Sequence, residues 1–146
     1  MKMSTKGRYG VRLMIDLALH SGEGPVLLKD IAQRQGISEK YLWSLINPLK
    51  TVGLVRSIRG ARGGYQLAKE PAEISLKDIM RVLEGPLCLV DCVENPSSCK
   101  RSPTCITRDV WCEASQGFMK TLEAMTLETM VDRHRIKGAE AAGCCI

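Results

Sequence analysis

The sequence predicts a mainly α-helical fold with a small β-wing, in which a winged helix-turn-helix is joined to a long dimerisation helix. Apolar residues recur at three- and four-residue steps over most of the chain, which is the period of amphipathic helices. Two of these helical segments flank a turn of about three residues, and a basic, glycine-rich hairpin follows at once. Either feature alone would be a weak signal, but the succession is typical of a winged helix-turn-helix.

Three helices are predicted before the hairpin. The first covers residues 6–20 and the second covers residues 28–35, each with apolar residues at helical spacing. Gly36 ends the second helix, because a left-handed backbone costs glycine little. Ser38 caps the third helix, which is predicted to run to about Thr51. This helix contains Pro48, which predicts a kink or an early end.

The hairpin is the predicted wing. Residues 54–58 alternate in polarity like a strand, and residues 65–67 return as a second strand. The tip between them is rich in glycine and carries Arg59 and Arg62. With the preceding helices it makes up a first domain over residues 1–86.

A helix and a long loop are predicted after the wing. Ser75 and Asp78 form a variant of the capping box, which opens a helix over about residues 75–84. Residues 87–102 are predicted to be a loop that carries cysteines. A loop of this length without secondary structure needs a reason, and a bound ligand would supply one.

The last part of the chain is predicted to hold the dimerisation helix. Ser102 and Pro103 fit a cap and a first helical position, so residues 103–133 are expected to contain a long helix and a short terminal one. Residues 134–146 are predicted to be a disordered tail. An apolar stripe on the long helix is wide enough to pack against the body and a second chain, which predicts a homodimer; its members are Ile106, Val110, Ala114, Phe118 and Leu122.

Charge and hydropathy narrow the class of protein. The net charge of +5 divides into twelve basic against four acidic residues over 1–69 (+8) and nine against twelve over 70–146 (−3). A basic first half predicts a polyanion partner such as double-stranded DNA. No run of about 18 apolar residues occurs, so no membrane association is expected. The N-terminus lacks the apolar core of a signal peptide, so a cytoplasmic location is expected.

Enzyme chemistry is not expected from this sequence. It has no glycine-rich phosphate loop and no Ser/His/Asp set, and its two histidines are His20 and His134. A thiol oxidoreductase would need a CxxC pair, which is missing. A protein-binding module without DNA is disfavoured by the basic first half and the complete wing.

The third helix and the wing tip hold the predicted DNA contacts. A recognition helix places its N-terminal residues toward the bases of the major groove. Glu39 could accept from a cytosine amino group and Lys40 could reach a guanine. Arg59 and Arg62 suit a narrow minor groove or the phosphates beside it. The exposed candidates on the helix are Ser38, Glu39, Lys40, Tyr41 and Ser44.

The residues that carry these features also carry a family resemblance. The segments 4–10, 31–42 and 53–65 resemble the Rrf-two family of bacterial transcription regulators, and the match extends from residue 1 to about residue 133. The cysteine loop followed by residues 105–111 resembles the branch of iron–sulfur cluster regulators. That resemblance implies a homodimer that carries a [2Fe–2S] cluster. Residues 1–86 resemble equally a branch that regulates cysteine metabolism and lacks the cysteine loop.

The cysteines are the predicted metal ligands. All seven lie in the second half, and in a reducing compartment clustered cysteines bind metal or sense redox state. Cys92, Cys99 and Cys105 supply the soft thiolates that cluster iron needs. Their spacing is C-x6-C-x5-C, where the family pattern is C-x5-C-x5-C. The paired CxxC pattern of zinc ribbons is absent, although structural zinc and bare thiols or disulfides remain alternatives.

The fourth cluster ligand is left open by the sequence. Arg108 stands where the family often has a histidine. Cys112 lies two helical turns from Cys105, about 10 Å along a straight helix. The candidates are Cys88, Cys112, Asp109, a residue of the partner chain, or none.

The function expected is therefore a dimeric DNA-binding regulator, of repressor type, that senses cluster or redox status and controls genes of iron–sulfur cluster assembly. The alternatives are a regulator of cysteine or sulfur metabolism that uses thiols or a partner protein, and a zinc-containing transcription factor.

Overall fold

The computed structural model describes residues 3–143 and is mostly helical, with a single antiparallel strand pair in that part of the chain. The fold class predicted from the sequence is confirmed. In chain order the elements are α1 (Thr5–Leu19), α2 (Leu28–Gln35), α3 (Glu39–Thr51), β1 (Val55–Ile58), β2 (Gly64–Leu67), α4 (Leu76–Glu84), α5 (Asp91–Glu94), α6 (Ile106–Ala124) and α7 (Leu127–Gly143).

The turn of the helix-turn-helix forms as its residues predict. Gly36 has φ 62° and ends α2 in the left-handed region. Ser38 accepts a hydrogen bond from the Tyr41 N–H at 3.2 Å and caps α3. The helix continues through Pro48 and ends at Thr51, where the sequence predicts its end. Burial of four apolar side chains of α3 offsets the one backbone hydrogen bond that the proline removes.

The wing is joined to the helix-turn-helix by a bridge at its base. β1 and β2 pair in register from Val55 with Leu67 to Ile58 with Gly64. Tyr65 in turn exchanges both backbone hydrogen bonds with Val26, each 2.8 Å long. This single antiparallel bridge therefore connects the segment between α1 and α2 to β2 and fixes the wing to the helix-turn-helix.

We expect Gly64→Ala to lower the free energy of unfolding by about 2–3 kcal/mol, through backbone strain and overpacking. Gly64 has φ 152°, and a β-carbon there would lie 2.8 Å from the Val26 carbonyl carbon. Gly60→Ala is the matched control, because Gly60 also has positive φ (110°) but a β-carbon added to it would meet nothing within 4 Å. Urea unfolding of both variants measures the difference. If both variants lose the same free energy of unfolding, the close approach of Val26 does not disfavour a side chain at position 64.

One apolar core unites both halves of the chain. Leu13, Leu42 and Ile79 are fully buried in it, and they come from α1, α3 and α4. Leu127 and Val131 of α7 belong to the same core. The N–H of Leu127 donates to the Ile74 carbonyl at 2.9 Å, which holds the start of α7 beside the start of α4. The last helix, α7, thus completes the core of the winged unit.

α1 and α4 approach each other closely through glycine. Gly7 and Gly10 are buried on the face of α1 that meets Leu83 and Glu84. The Glu84 carboxylate accepts hydrogen bonds from the N–H groups of Ser4 (3.2 Å) and Gly7 (3.0 Å) and from the Ser4 hydroxyl. The C-terminal end of α4 therefore caps the N-terminus of α1.

Several predicted boundaries in the second half are wrong. The loop at 87–102 contains the short helix α5 and a 3-10 turn, Pro96–Ser98. A second 3-10 turn, Ser102–Thr104, occupies the predicted start of the dimerisation helix, and α6 begins at Ile106 with Cys105 at the cap position.

The predicted disordered tail is also wrong as far as Gly143, because α7 runs to that residue. Residues 134–143 contain three alanines and one residue each of arginine, lysine and glutamate, which favour helix even when residues are exposed. Cys144 and Cys145 lie outside the described residues. Within residues 3–143, no helix is both long and apolar enough to cross a membrane.

Candidate nucleic-acid interface and cysteine segment

The recognition helix α3 has one buried and one exposed face. Leu42, Leu45, Ile46 and Leu49 have no solvent exposure and fix the helix on the core. Glu39, Lys40, Trp43 and Ser44 lie on the opposite, exposed face. The residues predicted to read DNA therefore share a solvent-facing surface with Trp43, which is 58% exposed and is not packed within the motif.

The predicted contacts on α3 differ in how free their side chains are. The hydroxyl of Ser38 caps the helix, and the hydroxyl of Ser44 donates to the Tyr41 carbonyl at 2.6 Å. Tyr41 is half-buried and packs edge-to-face on Tyr9, with ring centroids 5.9 Å apart. Glu39 and Lys40 have no side-chain hydrogen bond or ion pair among the described residues. They are the charged groups best placed to meet bases.

The wing tip presents two unshielded cations. Arg59 and Arg62 are exposed, and neither forms an ion pair within residues 3–143. The tip is closed by a hydrogen bond of 3.0 Å from the Gly63 N–H to the Gly60 carbonyl. The two guanidinium groups therefore project from a short, defined turn.

A buried ion pair that sequence reasoning missed joins α1 to α2. Asp16 is 1% exposed, and its carboxylate accepts two hydrogen bonds from Arg34, at 2.6 and 3.1 Å. Gln35 donates a third, at 2.9 Å. Burial raises the pKa of Asp16, but the hydrogen bonds from Arg34 and Gln35 outweigh it and hold the pKa below its ordinary value.

This network fixes the first helix of the helix-turn-helix on α1. Arg12 extends it, because its Nε donates to the Gln35 side-chain oxygen at 3.1 Å while its guanidinium lies 5.4 Å from the Tyr9 ring centroid. The sequence signal was a single acid, Asp16, on the apolar face of α1. It did not identify the partner, which lies 18 residues away.

The cysteine segment is held on α6 by backbone contacts. Arg108 donates from Nε to the carbonyl of Cys92 at 2.9 Å, and the Leu89 N–H donates to the buried Ser115 hydroxyl at 3.3 Å. At the position where the resemblance implies a histidine, Arg108 therefore has a different role, because its hydrogen bond connects α5 to α6.

The described cysteines are free thiols in different surroundings. Cys99 is exposed, whereas Cys88, Cys92, Cys105 and Cys112 are half-buried. Burial is the main cause that raises the pKa of Cys88, which lies near Met80, Leu87 and Phe118. The Thr107 hydroxyl, 3.1 Å from the Cys105 sulfur, and the Arg108 N–H lower the pKa of the Cys105 thiol.

The three predicted cluster ligands fit a [2Fe–2S] cluster in kind but are not gathered around one point. All three are accessible thiols, and Cys105 is held toward its thiolate form. Within residues 3–143, however, no three Cys, His, Asp or Glu side chains are arranged to hold a metal ion. Asp109 is exposed on α6, and neither it nor Cys88 nor Cys112 completes such a group.

The apolar stripe on α6 divides between two faces. Phe118 and Leu122 pack on the body, whereas Ile106 is 79% and Val110 is 55% exposed. Steps of four residues advance by about 40° around a helix of 3.6 residues per turn, so the stripe winds from solvent to core along α6. The N-terminal half of α6 thus leaves an unpaired apolar surface, which includes Trp111.

These features define a class. A helix-turn-helix with an exposed polar recognition face, a basic wing and a helix with a free apolar side is a DNA-binding transcription regulator. The chain belongs to the Rrf2 family, described as iron-dependent transcriptional regulators, whose model matches residues 3–133.

Relatives from two branches of that family match at similar identity. The regulator CymR of Bacillus subtilis is 47% identical over 130 residues, which cover 89% of each chain. Its solved structure, described as that of the global cysteine regulator, matches 91% of this chain and 98% of its own with a TM-score of 0.77. The structure of IscR of T. potens is 46% identical, covers 92% of this chain and 88% of its own, and has a TM-score of 0.75.

Proposed function

We propose that this chain acts in the cytoplasm as a homodimeric repressor that binds a palindromic operator and senses cluster or redox status through Cys92, Cys99 and Cys105. The observation that carries the proposal is the free apolar surface of α6, which begins one residue after Cys105. This helix joins the proposed sensor to the proposed dimer interface. A signal at the cysteines would therefore reach the contact that sets the spacing of the two recognition helices.

DNA would be read by α3 and held by the wing. Glu39 and Lys40 would meet base edges in the major groove, with Ser38, Tyr41 and Ser44 around them. The arginines of the wing tip would bind phosphates or a narrow minor groove. Dimer symmetry predicts half-sites about one helical turn apart, or a small multiple of that.

We expect Arg59→Ala to weaken binding to every DNA sequence and to lower the salt dependence if the side chain binds phosphate. Two arginines are removed per dimer, so the slope of log K against log salt should fall by about 2. Gel shifts at several salt concentrations on A·T-rich and G·C-rich sites measure this. A loss confined to A·T-rich sites would indicate insertion in the minor groove, and unchanged affinity on all DNA would contradict both modes.

We propose that Cys92, Cys99 and Cys105 hold a [2Fe–2S] cluster. A cluster bound there would supply a redox centre and a crosslink between three thiolates. Lys100, Arg101 and Arg108 would offset its negative charge. Because the cysteines are not gathered in the protein as described, binding would have to draw α5 and the turns after it toward the start of α6.

That rearrangement has a path to the DNA-binding unit. The cysteine segment follows α4 directly, and α4 touches α1 through Gly7, Gly10 and the Glu84 cap. Fixing the cysteines would fix α6 relative to α4 and thereby relative to both recognition helices. Only an interaction that differs between the two states can shift such an equilibrium.

We expect the holo protein, prepared anaerobically, to differ from the apo protein in operator affinity about 5–150-fold, the range of typical allosteric couplings of ~1–3 kcal/mol. Cys92→Ala should behave as the apo protein in both preparations. Iron and sulfide counts with an absorption spectrum verify loading. If holo, apo and Cys92→Ala bind every operator equally, the cluster is not the switch.

A regulator of cysteine metabolism is the second candidate. The observations that favour it are the ungathered thiols and the 47% identity to CymR. In that case the anaerobic protein should contain no sulfide, and its operator affinity should respond to thiol oxidants or to a partner protein. One zinc per chain without sulfide would instead identify the third alternative, a zinc-containing factor.

A further inference from the structure

Trp43 is the largest side chain on the exposed face of α3, and more than half of it is in contact with solvent. The chain has two tryptophans, and Trp43 is the more exposed, at 58%. Its neighbours Leu42 and Leu45 have no solvent exposure, so the helix is fixed on the core and holds the indole outward. A large aromatic surface that a chain leaves in water is typical of a contact with another molecule.

The position of Trp43 on the helix indicates which molecule it contacts. Glu39 and Lys40 precede it by four and three residues, so the three side chains are neighbours on one face of α3. Two hydroxyls of the same face are already engaged, because that of Ser38 caps the helix and that of Ser44 donates to a backbone carbonyl. Trp43 therefore lies beside the two free side chains that the proposed function places against base edges.

The major groove offers one apolar group to such a side chain. Base pairs present hydrogen-bond donors and acceptors there, and the 5-methyl group of thymine is the exception. An indole ring has a single N–H donor and is otherwise apolar, so most of its surface complements a methyl group better than a carbonyl or an amino group. A methyl group on carbon 5 of cytosine presents the same chemistry.

We propose that Trp43 is a specificity-determining residue that contacts the 5-methyl group of one pyrimidine in each half-site of the operator. This inference rests on the proposed function, because it requires α3 in the major groove, and it adds a base preference that Glu39 and Lys40 do not supply. Trp43 lies about 6 Å along the helix axis from Glu39, which is the rise of about two base pairs. The methyl group should therefore lie about two base pairs from the pair that Glu39 contacts.

The test compares thymine with deoxyuridine, which differ only in the 5-methyl group. An operator is first selected from random duplex DNA with the full-length homodimer, in holo and apo preparations, and each thymine is then replaced by deoxyuridine. At one position per half-site, the replacement should weaken binding about fourfold, and about 15-fold when both half-sites are changed. At the same position, 5-methylcytosine should bind more tightly than cytosine by a similar factor. Whichever methylated base binds more tightly identifies the source of the methyl group.

Variants assign the effect to the indole ring. Trp43→Ala should bind the thymine and deoxyuridine operators equally, whereas Trp43→Phe should retain part of the difference. Val52→Ala is the matched control and should keep the full difference, because Val52 is also apolar and 53% exposed but follows the end of α3. Urea unfolding should be close to that of the parent for all three variants, since the substituted side chains are exposed.

The inference is overturned if no thymine methyl group of the selected operator affects affinity, or if Trp43→Ala responds to the methyl group as strongly as the parent. It is also overturned if Val52→Ala loses the response equally. Failure of the proposed function gives a different result, in which neither preparation enriches any sequence from random DNA, and the inference then fails with it.

Discussion

Arg34→Ala is expected to lower the free energy of unfolding by about 3 kcal/mol at neutral pH, because it removes two of the three side-chain hydrogen bonds to the buried carboxylate of Asp16 and leaves only that from Gln35. The Asp16 side chain is 2% exposed, whereas that of Arg34 is 38% exposed. The two single substitutions, Arg34→Ala and Asp16→Ala, should therefore lower the free energy of unfolding by different amounts. Removing Asp16 leaves a cation that water can reach, so Asp16→Ala should cost less. Urea unfolding of both variants at pH 7 measures the difference.

The pH dependence gives an independent check on this pair. In the parent protein the pKa of Asp16 lies below its ordinary value of 3.8, so the stability it contributes is present above that value and is lost as the pH falls through the lowered pKa. Arg34→Ala removes two of the causes that lower the pKa of Asp16, its hydrogen bonds and its charge, so the carboxyl group of the variant should become neutral at a higher pH than in the parent. The difference in free energy of unfolding between the parent and Arg34→Ala should therefore become smaller toward acid pH, where the carboxyl group of Asp16 becomes neutral. If this difference in free energy of unfolding does not change with pH, the lost stability comes from packing and not from the charge of Asp16.

Val110→Glu combined with Ile106→Glu is expected to produce monomers and to reduce operator affinity by about 10³-fold or more, toward non-specific binding. In the single chain, both side chains are exposed to solvent on the apolar surface of α6. Burying two glutamates per chain in an interface would leave unpaired charges in an apolar contact. Sedimentation velocity and an operator titration measure the two effects.

The control for this prediction comes from another face of the same helix. Gln116 is exposed and lies on a side of α6 with Asp109 and Lys120, so Gln116→Glu should leave both the dimer and the affinity unchanged. Phe118 is unsuitable for the test, because it packs with Leu87 and Met80 on the body. An unchanged sedimentation coefficient for the double variant would contradict the proposed interface.

Local sequence was sufficient for the elements of the winged unit. The glycine at position 36, the cap at Ser38 and the capping box of Ser75 with Asp78 each act within four residues, and all three form as predicted. Local patterns were insufficient in α7. Residues 134–143 are helical there, although their small residues predict an unfolded tail.

The residues predicted to read DNA lie on one exposed face, whereas the predicted cluster ligands are not gathered around one point. The sequence placed Glu39 and Lys40 correctly on an exposed face, because helical periodicity decides which side of α3 is buried. It did not anticipate that Arg108 binds the Cys92 carbonyl or that the thiols lie apart. Those features depend on how a segment of irregular turns packs on α6, and no period in the sequence describes such packing.

The sequence by itself determined the fold class, a winged helix-turn-helix. Its helices, turn and wing have local sequence patterns, so each can be predicted from neighbouring residues. The tertiary structure alone decided that Asp16 pairs with Arg34 and that α7 completes the core. The reason is physical. Local propensity and periodicity act over one or two helical turns, whereas a buried ion pair or a pocket is set by which distant segments the packed core brings within a few ångströms.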